Sequence, residues 1–481
     1  MSLNLKKVST NALSILSSDV MNRATSFVLY ALVARHLGAH EFGQLTLSFT
    51  LFYAFQVFAV SGLKTLLIRQ VAKDHTQTAR YFLNGCAIVT LTSLASIAAV
   101  WAFVYLMHYP RSTTMVILLL SFGLLPYTFS AICEGIFQAW EQMRYIAYVN
   151  VPVNIAKVGA TFLLLSENRG LYTVILVLLG CLSAIAVAEL WIVFRRFPVR
   201  GASLDSRFAW ATARAASTFL GIDGTTAIMA SLNIILLSKL AGETEVGLYS
   251  SACQLLVPLL LVYQSMAQSI FPMMCRKIDP GYRSLKQIAE QAMELLLVLA
   301  LPSVAGLYFL GDRVLALLYK NPAFVQAFPA LRIMTFVLIF QVFTSVLGQV
   351  LVASHREKIT LRIVAVDTVV NLLVGWPLIS LFGLRGAAIA WFLTRMADCI
   401  QHYIPAANLL SGIPVLRLIW KPVIAAGCMA LYLALPTVGQ VSLLTGVSAT
   451  LIYGAALFGL AVLASGGLQQ FKEKYRPLLS E

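Results

Sequence analysis

Apolar stretches of about twenty residues follow one another along this chain, separated by short polar connections. That length is what a helix needs to cross about 30 Å of hydrocarbon. The pattern predicts about fourteen such spans, near residues 10–34, 42–63, 81–107, 113–138, 146–165, 171–194, 209–238, 246–272, 289–310, 325–351, 360–382, 384–410, 417–435 and 441–465. Segments in lipid must satisfy their own backbone groups, so the spans are expected to be helical. The short alternating pattern of an outer-membrane barrel is absent. The predicted fold class is an all-α polytopic membrane protein.

The polar punctuation repeats. Gly38-Ala39-His40-Glu41-Phe42-Gly43 returns as Gly242-Glu243-Thr244-Glu245-Val246-Gly247, with Asp19 falling on Asp223 and Arg35 on Lys239 at the same spacing. The connection Gly135–Arg144 returns as Gln349–Lys358, with Ala139 on Ala353. The spans thus divide into six, six and two. Six is even, so equivalent spans keep their orientation and the repeat is parallel. The expected organisation is an N-terminal six-helix lobe over 1–197, a cytoplasmic linker over 198–208, a C-terminal six-helix lobe over 209–411, and two additional helices with a basic tail over 412–481. Those last helices carry almost no internal polarity, as lipid-facing helices would. Two equivalent halves can enclose a cavity and rock to open it on either side, which points to a transporter.

Of the 481 residues, 59% are hydrophobic and 11% charged, and the net charge is +15. Mean hydropathy is +0.82. The placement of the basic residues speaks against nucleic acid. Alternate connections, with both termini, hold 23 Lys and Arg, and the others hold seven. The positive-inside rule then puts both termini in the cytoplasm. Anionic headgroups account for the excess. Lys6-Lys7 precedes a polar-flecked span with no cleavage site, so the first helix is expected to be retained. Seven cysteines show no CxxC spacing, and neither a disulfide nor a metal site is expected. His36 and His40 are four apart but sit in a predicted outside turn, where an exposed polar role is the simpler account. No P-loop, GxSxG or HExxH motif occurs.

Ionisable groups at membrane depth are costly and face a cavity or one another. Asp19 and Arg23 share a face of the first helix, either as a structural pair or as one wall of a hydrophilic lumen. Asp223, with Ala227 where an Arg would pair it, is a candidate for binding a proton or sodium ion. Lys157 follows Asn150 and Asn154 at helical spacing; Asp367 and Asn371 occupy the equivalent eleventh span. These stripes fit either lumen walls or interhelical hydrogen bonds. Arg332 lines the lumen or lies near its mouth. Arg395, Asp398 and His402 form one stripe of the twelfth helix, read as a structural ion pair, a substrate-facing Arg, or a proton relay. Glu134 and Glu189 lie near cytoplasmic span ends, where headgroup-level solvation is the simplest expectation. Lys286, Glu290 and Glu294 form a ladder that starts the ninth helix. Pro126, Pro152, Pro258, Pro302, Pro377 and Pro405 are candidate bending points.

The Ser/Asn-rich first helix, the motif Leu37–Gly43, then Gly62-Leu63-Lys64-Thr65-Leu66 and Ile68-Arg69-Gln70, together resemble the polysaccharide transporter family. These are the Wzx-type lipid-linked oligosaccharide flippases of the multidrug/oligosaccharidyl-lipid/polysaccharide (MOP) exporter superfamily. The resemblance covers roughly residues 5–410. It implies a V-shaped fold of two six-helix lobes and movement of an undecaprenyl-diphosphate-linked glycan across a bacterial cytoplasmic membrane by alternating access, for cell-surface polysaccharide. A proton or sodium ion is the implied coupling ion, and no other cofactor is expected. A sugar diphosphate needs a cationic lumen, for which Arg23, Lys157, Arg332 and Arg395 are the candidates. Asp19, Asp223, Asp367, Asn371, Asp398 and His402 are the candidates for ion coupling or lumen polarity. Expected partners are the lipid-linked substrate, membrane lipids, a polysaccharide polymerase and glycosyltransferases; the chain is expected to be a monomer. Three alternatives remain open. A lipid II flippase would carry a denser Arg cluster in its first two spans. A cation-coupled multidrug antiporter would have twelve spans and an acidic cavity. A membrane-embedded glycosyltransferase or polymerase would need a large outside loop, and the longest here is 311–324.

Overall fold

The structure is a computed structural model that describes residues 5–199, 201–276, 282–435 and 443–464. The side chains of residues 5–16, Asp19 and Asp223 are among those outside the described set. The chain divides into two compact units, residues 1–247 and 248–481.

The first unit contains α1 (Leu5–Val60), α2 (Leu63–Lys73), α3 (Thr78–Met107), α4 (Arg111–Ser121), α5 (Leu124–Ala139), α6 (Arg144–Ser166), α7 (Leu171–Arg196) and α8 (Ser206–Leu240). It also holds the start of α9 (Glu243–Arg276). α1 breaks at Gly38, whose φ of 82° suits a residue with no Cβ. Tyr30 before the break meets Phe42 and Phe49 after it, at ring-centroid distances of 5.9 and 5.7 Å, so the two arms lie side by side. A core of Leu63, Leu67, Val71, Phe82, Ile136 and Phe137 joins α2, α3 and α5. In lipid such burial gains close packing rather than escape from water. α8, which the sequence repeat pairs with the first helix, packs on α1, α2 and α3. Its start is fixed by Asp205, whose carboxylate accepts from the backbone N–H groups of Arg207 and Phe208, both at 3.1 Å.

The second unit contains most of α9, then α10 (Arg283–Tyr319), α11 (Phe328–Thr335), α12 (Val337–Ala353), α13 (Glu357–Leu409), α14 (Val415–Ala434) and α15 (Leu443–Ala464). α13 breaks at Gly383 (φ 53°), and its arms then run antiparallel in close contact. α14 and α15 pack together, and α14 packs on α10. Met429 and Leu433 fill that seam, and the Tyr453 hydroxyl donates to the Val298 carbonyl at 2.8 Å. Leu416, Leu431 and Leu463 on the outer side stay exposed, as lipid contacts would.

Among the described residues ten helices are long and apolar enough to cross a bilayer, or eleven if the bent pair ending at Ala353 counts as one span. Two of the ten, Val20–Lys73 and Lys358–Leu409, hold the breaks at Gly38 and Gly383, so each covers two spans of the sequence reading. The protein is a multi-pass, all-helical membrane protein with about ten to fourteen apolar helices. Pro152, Pro258, Pro302, Pro377 and Pro405 lie inside helices as expected, whereas Pro126 sits in the first turn of α5.

Candidate functional site

A cavity of about 380 Å³ lies inside the first unit, among α1, α2, α5, α6 and α7. A second hollow of about 270 Å³ shares Asn22, Lys64, Glu134 and Asn150 with it and adds Ser18 and Gln138. The polar wall follows from helical spacing. Asn150, Asn154 and Lys157 are four and three apart on α6 and therefore point one way. Lys157 Nζ donates to Asn154 Oδ1 at 2.7 Å, and no carboxylate among the described residues forms an ion pair with it. Opposite stand the aromatic residues of α1 and α5. Phe52 meets Tyr127 edge to face at 5.9 Å, and Phe49 stacks on Tyr53 at 5.7 Å. Such rings offer flat apolar faces with a polar tip. The cavity thus combines an ammonium without a carboxylate partner among the described residues, amide donors and acceptors, and aromatic faces, which is chemistry for a polar, anionic headgroup.

Lys64, at the start of α2, forms an ion pair with Glu134 of α5 at 2.5 Å; Asn150 donates to the other Glu134 oxygen at 3.4 Å. In the sequence Lys64 stands out only as part of a basic connection and of the family-like motif. Glu189 on α7 requires a correction. Headgroup solvation was expected, yet its side chain is fully buried, because α5 covers it with Ser130, whose hydroxyl donates to Glu189 Oε2 at 2.5 Å.

A separate polar cluster forms in the second unit, across the two arms of α13. Asp398 accepts from Arg395 Nη1 at 3.1 Å and meets His402 Nδ1 at 2.8 Å. Gln401 donates to Asp367 Oδ1 at 2.7 Å, and Asn371 donates to the Thr394 hydroxyl at 3.2 Å. Asp367, Asn371, Asp398 and His402 are all buried. The Arg395–Asp398–His402 stripe and the Asp367–Asn371 stripe, read separately from sequence, therefore meet in one network. Gln401 and Thr394, which the sequence reading passed over, stitch them together. Their signal was available only as helical spacing from Asp398.

Two cationic candidates stand apart from these sites. Arg23 is exposed beside the cavity residue Asn22 and does not line the cavity. Arg332 is exposed on α11, over the Phe328 ring at 4.2 Å and the Tyr308 ring at 5.0 Å, and its Nε donates to the Tyr308 carbonyl at 3.2 Å. Asp19 and Asp223 lie outside the residues whose side chains are described.

The sequence pattern of a family described as "Polysaccharide biosynthesis protein" matches residues 8–277, more than half of the chain. The chain belongs to that family. The matched stretch takes in every residue that lines the cavity. Among family-like proteins, "Probable flippase AglR" of Haloferax volcanii is 24% identical over 253 residues, 52% of this chain and 53% of the relative. A Shigella flexneri protein whose name gives it provisionally as an O-antigen transporter is 22% identical over 174 residues, 36% of this chain and 41% of that protein. The chain thus matches about half or less of the length of these relatives. A solved structure of the lipid II flippase MurJ in an inward closed conformation superimposes with a TM-score of 0.74 at 14% identity, over 97% of this chain and 100% of that one. At that identity the likeness is one of fold, and the fold is the one expected from the resemblance.

Proposed function

We propose that this family member is a flippase. It carries an undecaprenyl-diphosphate-linked oligosaccharide across the bacterial cytoplasmic membrane by alternating access, for assembly of a cell-surface polysaccharide. Both termini are cytoplasmic in this reading, and a polymerase and glycosyltransferases act beside it. The observation that carries the reading is the Lys157 ammonium, with no carboxylate in ion pair among the described residues, in a cavity whose wall also holds amides, aromatic rings and the Lys64–Glu134 pair. A diphosphate is drawn to the cation, the sugar to the amides and rings, and the lipid tail stays in hydrocarbon. The two α13 arms supply the coupling-ion candidates, with Asp367, Asn371, Asp398 and His402 offering oxygens and an imidazole that exchange a proton or sodium ion. No group here is assigned to bond-making chemistry, so the chain is read as a transporter and not an enzyme. The names and fold of the relatives support it.

The test is translocation of a labelled lipid-linked oligosaccharide in proteoliposomes. A charge-assisted hydrogen bond contributes about 1.5–3 kcal/mol, so Lys157→Ala is expected to weaken transport by roughly tenfold or more, with Lys157→Arg retaining more activity. Undiminished transport by Lys157→Ala, with the protein still in the membrane, would sink the proposal. The MurJ fold match favours one second reading, a lipid II flippase. Running lipid II beside the oligosaccharide in the same vesicles separates the two.

A further inference from the structure

Glu189 has no role in the transport reading above, and its surroundings are unusual. It lies on α7, six residues before Arg195, and none of its side chain is exposed. One carboxylate oxygen accepts from the Ser130 hydroxyl, and Oε1 has no hydrogen-bond partner among the described residues. The nearest cation, Lys64 on α2, is already held by Glu134 at 2.5 Å. The other groups facing Glu189 are Cys133 and Glu134 on α5, and Cys86 of α3 lies beyond Cys133. Lys157 of α6 faces Cys181, two turns away along α7. A lone carboxylate removed from water is tolerated only with a cation or a proton for company. The neighbours supply no cation in contact, and one of them is a second carboxylate.

Ser130 connects this buried group to water. Its hydroxyl touches Glu189 on one side, and the residue lines the cavity on the other, beside Lys64 and Glu134. We propose that Glu189 is a proton-binding site of the first unit, loaded and emptied from the cavity through the Ser130 hydroxyl. In loading, Ser130 passes its hydroxyl hydrogen to Glu189 Oε2 and accepts a replacement from a hydronium ion in the cavity, which is left as water. The new O–H of Glu189 then donates back to Ser130. Release reverses both transfers. Charge and protons balance with no other reactant. Any use of this proton in transport rests on the flippase reading; its presence does not.

The experiment is infrared spectroscopy of the purified full-length protein at neutral pH, without substrate, so that failure of a flipping assay leaves the result untouched. The wild type is expected to show a protonated-carboxyl C=O band, one component of which disappears in Glu189→Gln and persists in Glu134→Gln. Ser130→Ala is expected to slow the deuterium-induced shift of that component several-fold in heavy water. Absence of a protonated-carboxyl band in the wild type overturns the proposal, and that arm needs no variant to fold. An unchanged band in Glu189→Gln overturns it equally. A Ser130→Ala exchange rate equal to wild type overturns the assigned route.

Discussion

Gly43 and Gly247 face each other across a local two-fold. A Cβ on Gly43 would collide with the carbonyl of Glu243, and a Cβ on Gly247 with the carbonyl of Ala39. Within the repeat, Ala39 is equivalent to Glu243 and Gly43 to Gly247, so each glycine meets the carbonyl one helical turn before the other. Around them Gln44 Nε2 donates to Thr113 Oγ1 at 3.1 Å, and Thr113 donates to Glu243 Oε1 at 2.7 Å. The opposing atoms are backbone and cannot swing aside as a side chain would. Gly43→Ala and Gly247→Ala are each expected to cost about 1–3 kcal/mol through overpacking, read as a lowered thermal midpoint of the purified protein. A midpoint equal to wild type in both variants would show that this approach is looser than the geometry implies.

The Lys64–Glu134 pair yields a second prediction. Both side chains are largely covered, with 30% and 22% of their surface exposed. Lys64→Met leaves the Glu134 carboxylate with only the long Asn150 contact. Loss of one partner from a covered charge pair costs about 1–3 kcal/mol of stability. The double variant Lys64→Met/Glu134→Gln removes both charges and is expected to recover most of the loss. Thermal midpoints of the two singles and the double form the cycle; additive losses would mean the pair is not coupled.

The spans, the repeat and the ion stripes were legible because each is periodic or loud. A Lys such as Lys157 within an apolar run needs a polar setting wherever it folds, and it has one. Asp367, Asn371, Asp398 and His402 announced themselves by spacing, although their union in one network depends on the break at Gly383, where no residue but the glycine itself gave warning. Lys64, Glu134 and Glu189 were hidden by position: near span ends a charge reads as headgroup contact, and only the packing of α5 on α7 and α2 shows otherwise. Arg332 was ambiguous for a related reason. A cation at a span end can look inward to a lumen or lie on nearby aromatic rings, and here it lies over Phe328 of its own helix and Tyr308 of α10.

Asp367 and Asp398 are buried carboxylates close enough to repel, yet their partners differ. Asp398 is met by Arg395 and His402, whereas Asp367 receives the Gln401 amide. Asp398→Asn removes the charge that faces a partly covered Arg and is expected to cost about 1–3 kcal/mol, the loss when a charged hydrogen-bonding group is left without its partner. Asp367→Asn keeps an acceptor for Gln401 and relieves the repulsion, so its thermal midpoint should equal or exceed that of wild type. Both variants shifting the same way would show that the repulsion between the two carboxylates is not what distinguishes them.

The linker that precedes α8 should loosen in acid. Asp205 accepts from the backbone N–H groups of Phe208 and Arg207 and from Arg80 Nη2 at 2.8 Å, and these bonds hold its carboxyl below the ordinary value, with the Phe208 bond the largest cause. Its backbone N–H in turn donates to Asn84 Oδ1 at 3.0 Å, which ties the linker to α3. A carboxyl whose folded pKa is depressed contributes stability that is present above its unfolded value and lost as pH falls through the folded one. The docking is therefore expected to be intact at neutral pH and to weaken below about pH 4. Hydrogen exchange in the first turn of α8 measures this directly. Protection at Arg207 and Phe208 should fall on acidification in the wild type. In Asp205→Ala it should already be low at neutral pH and change little with acid, because the group that titrates is gone. Equal acid sensitivity in the two proteins would assign the loosening to some other carboxyl, of which Asp74, capped by the Thr76 hydroxyl and N–H, is the nearest in kind.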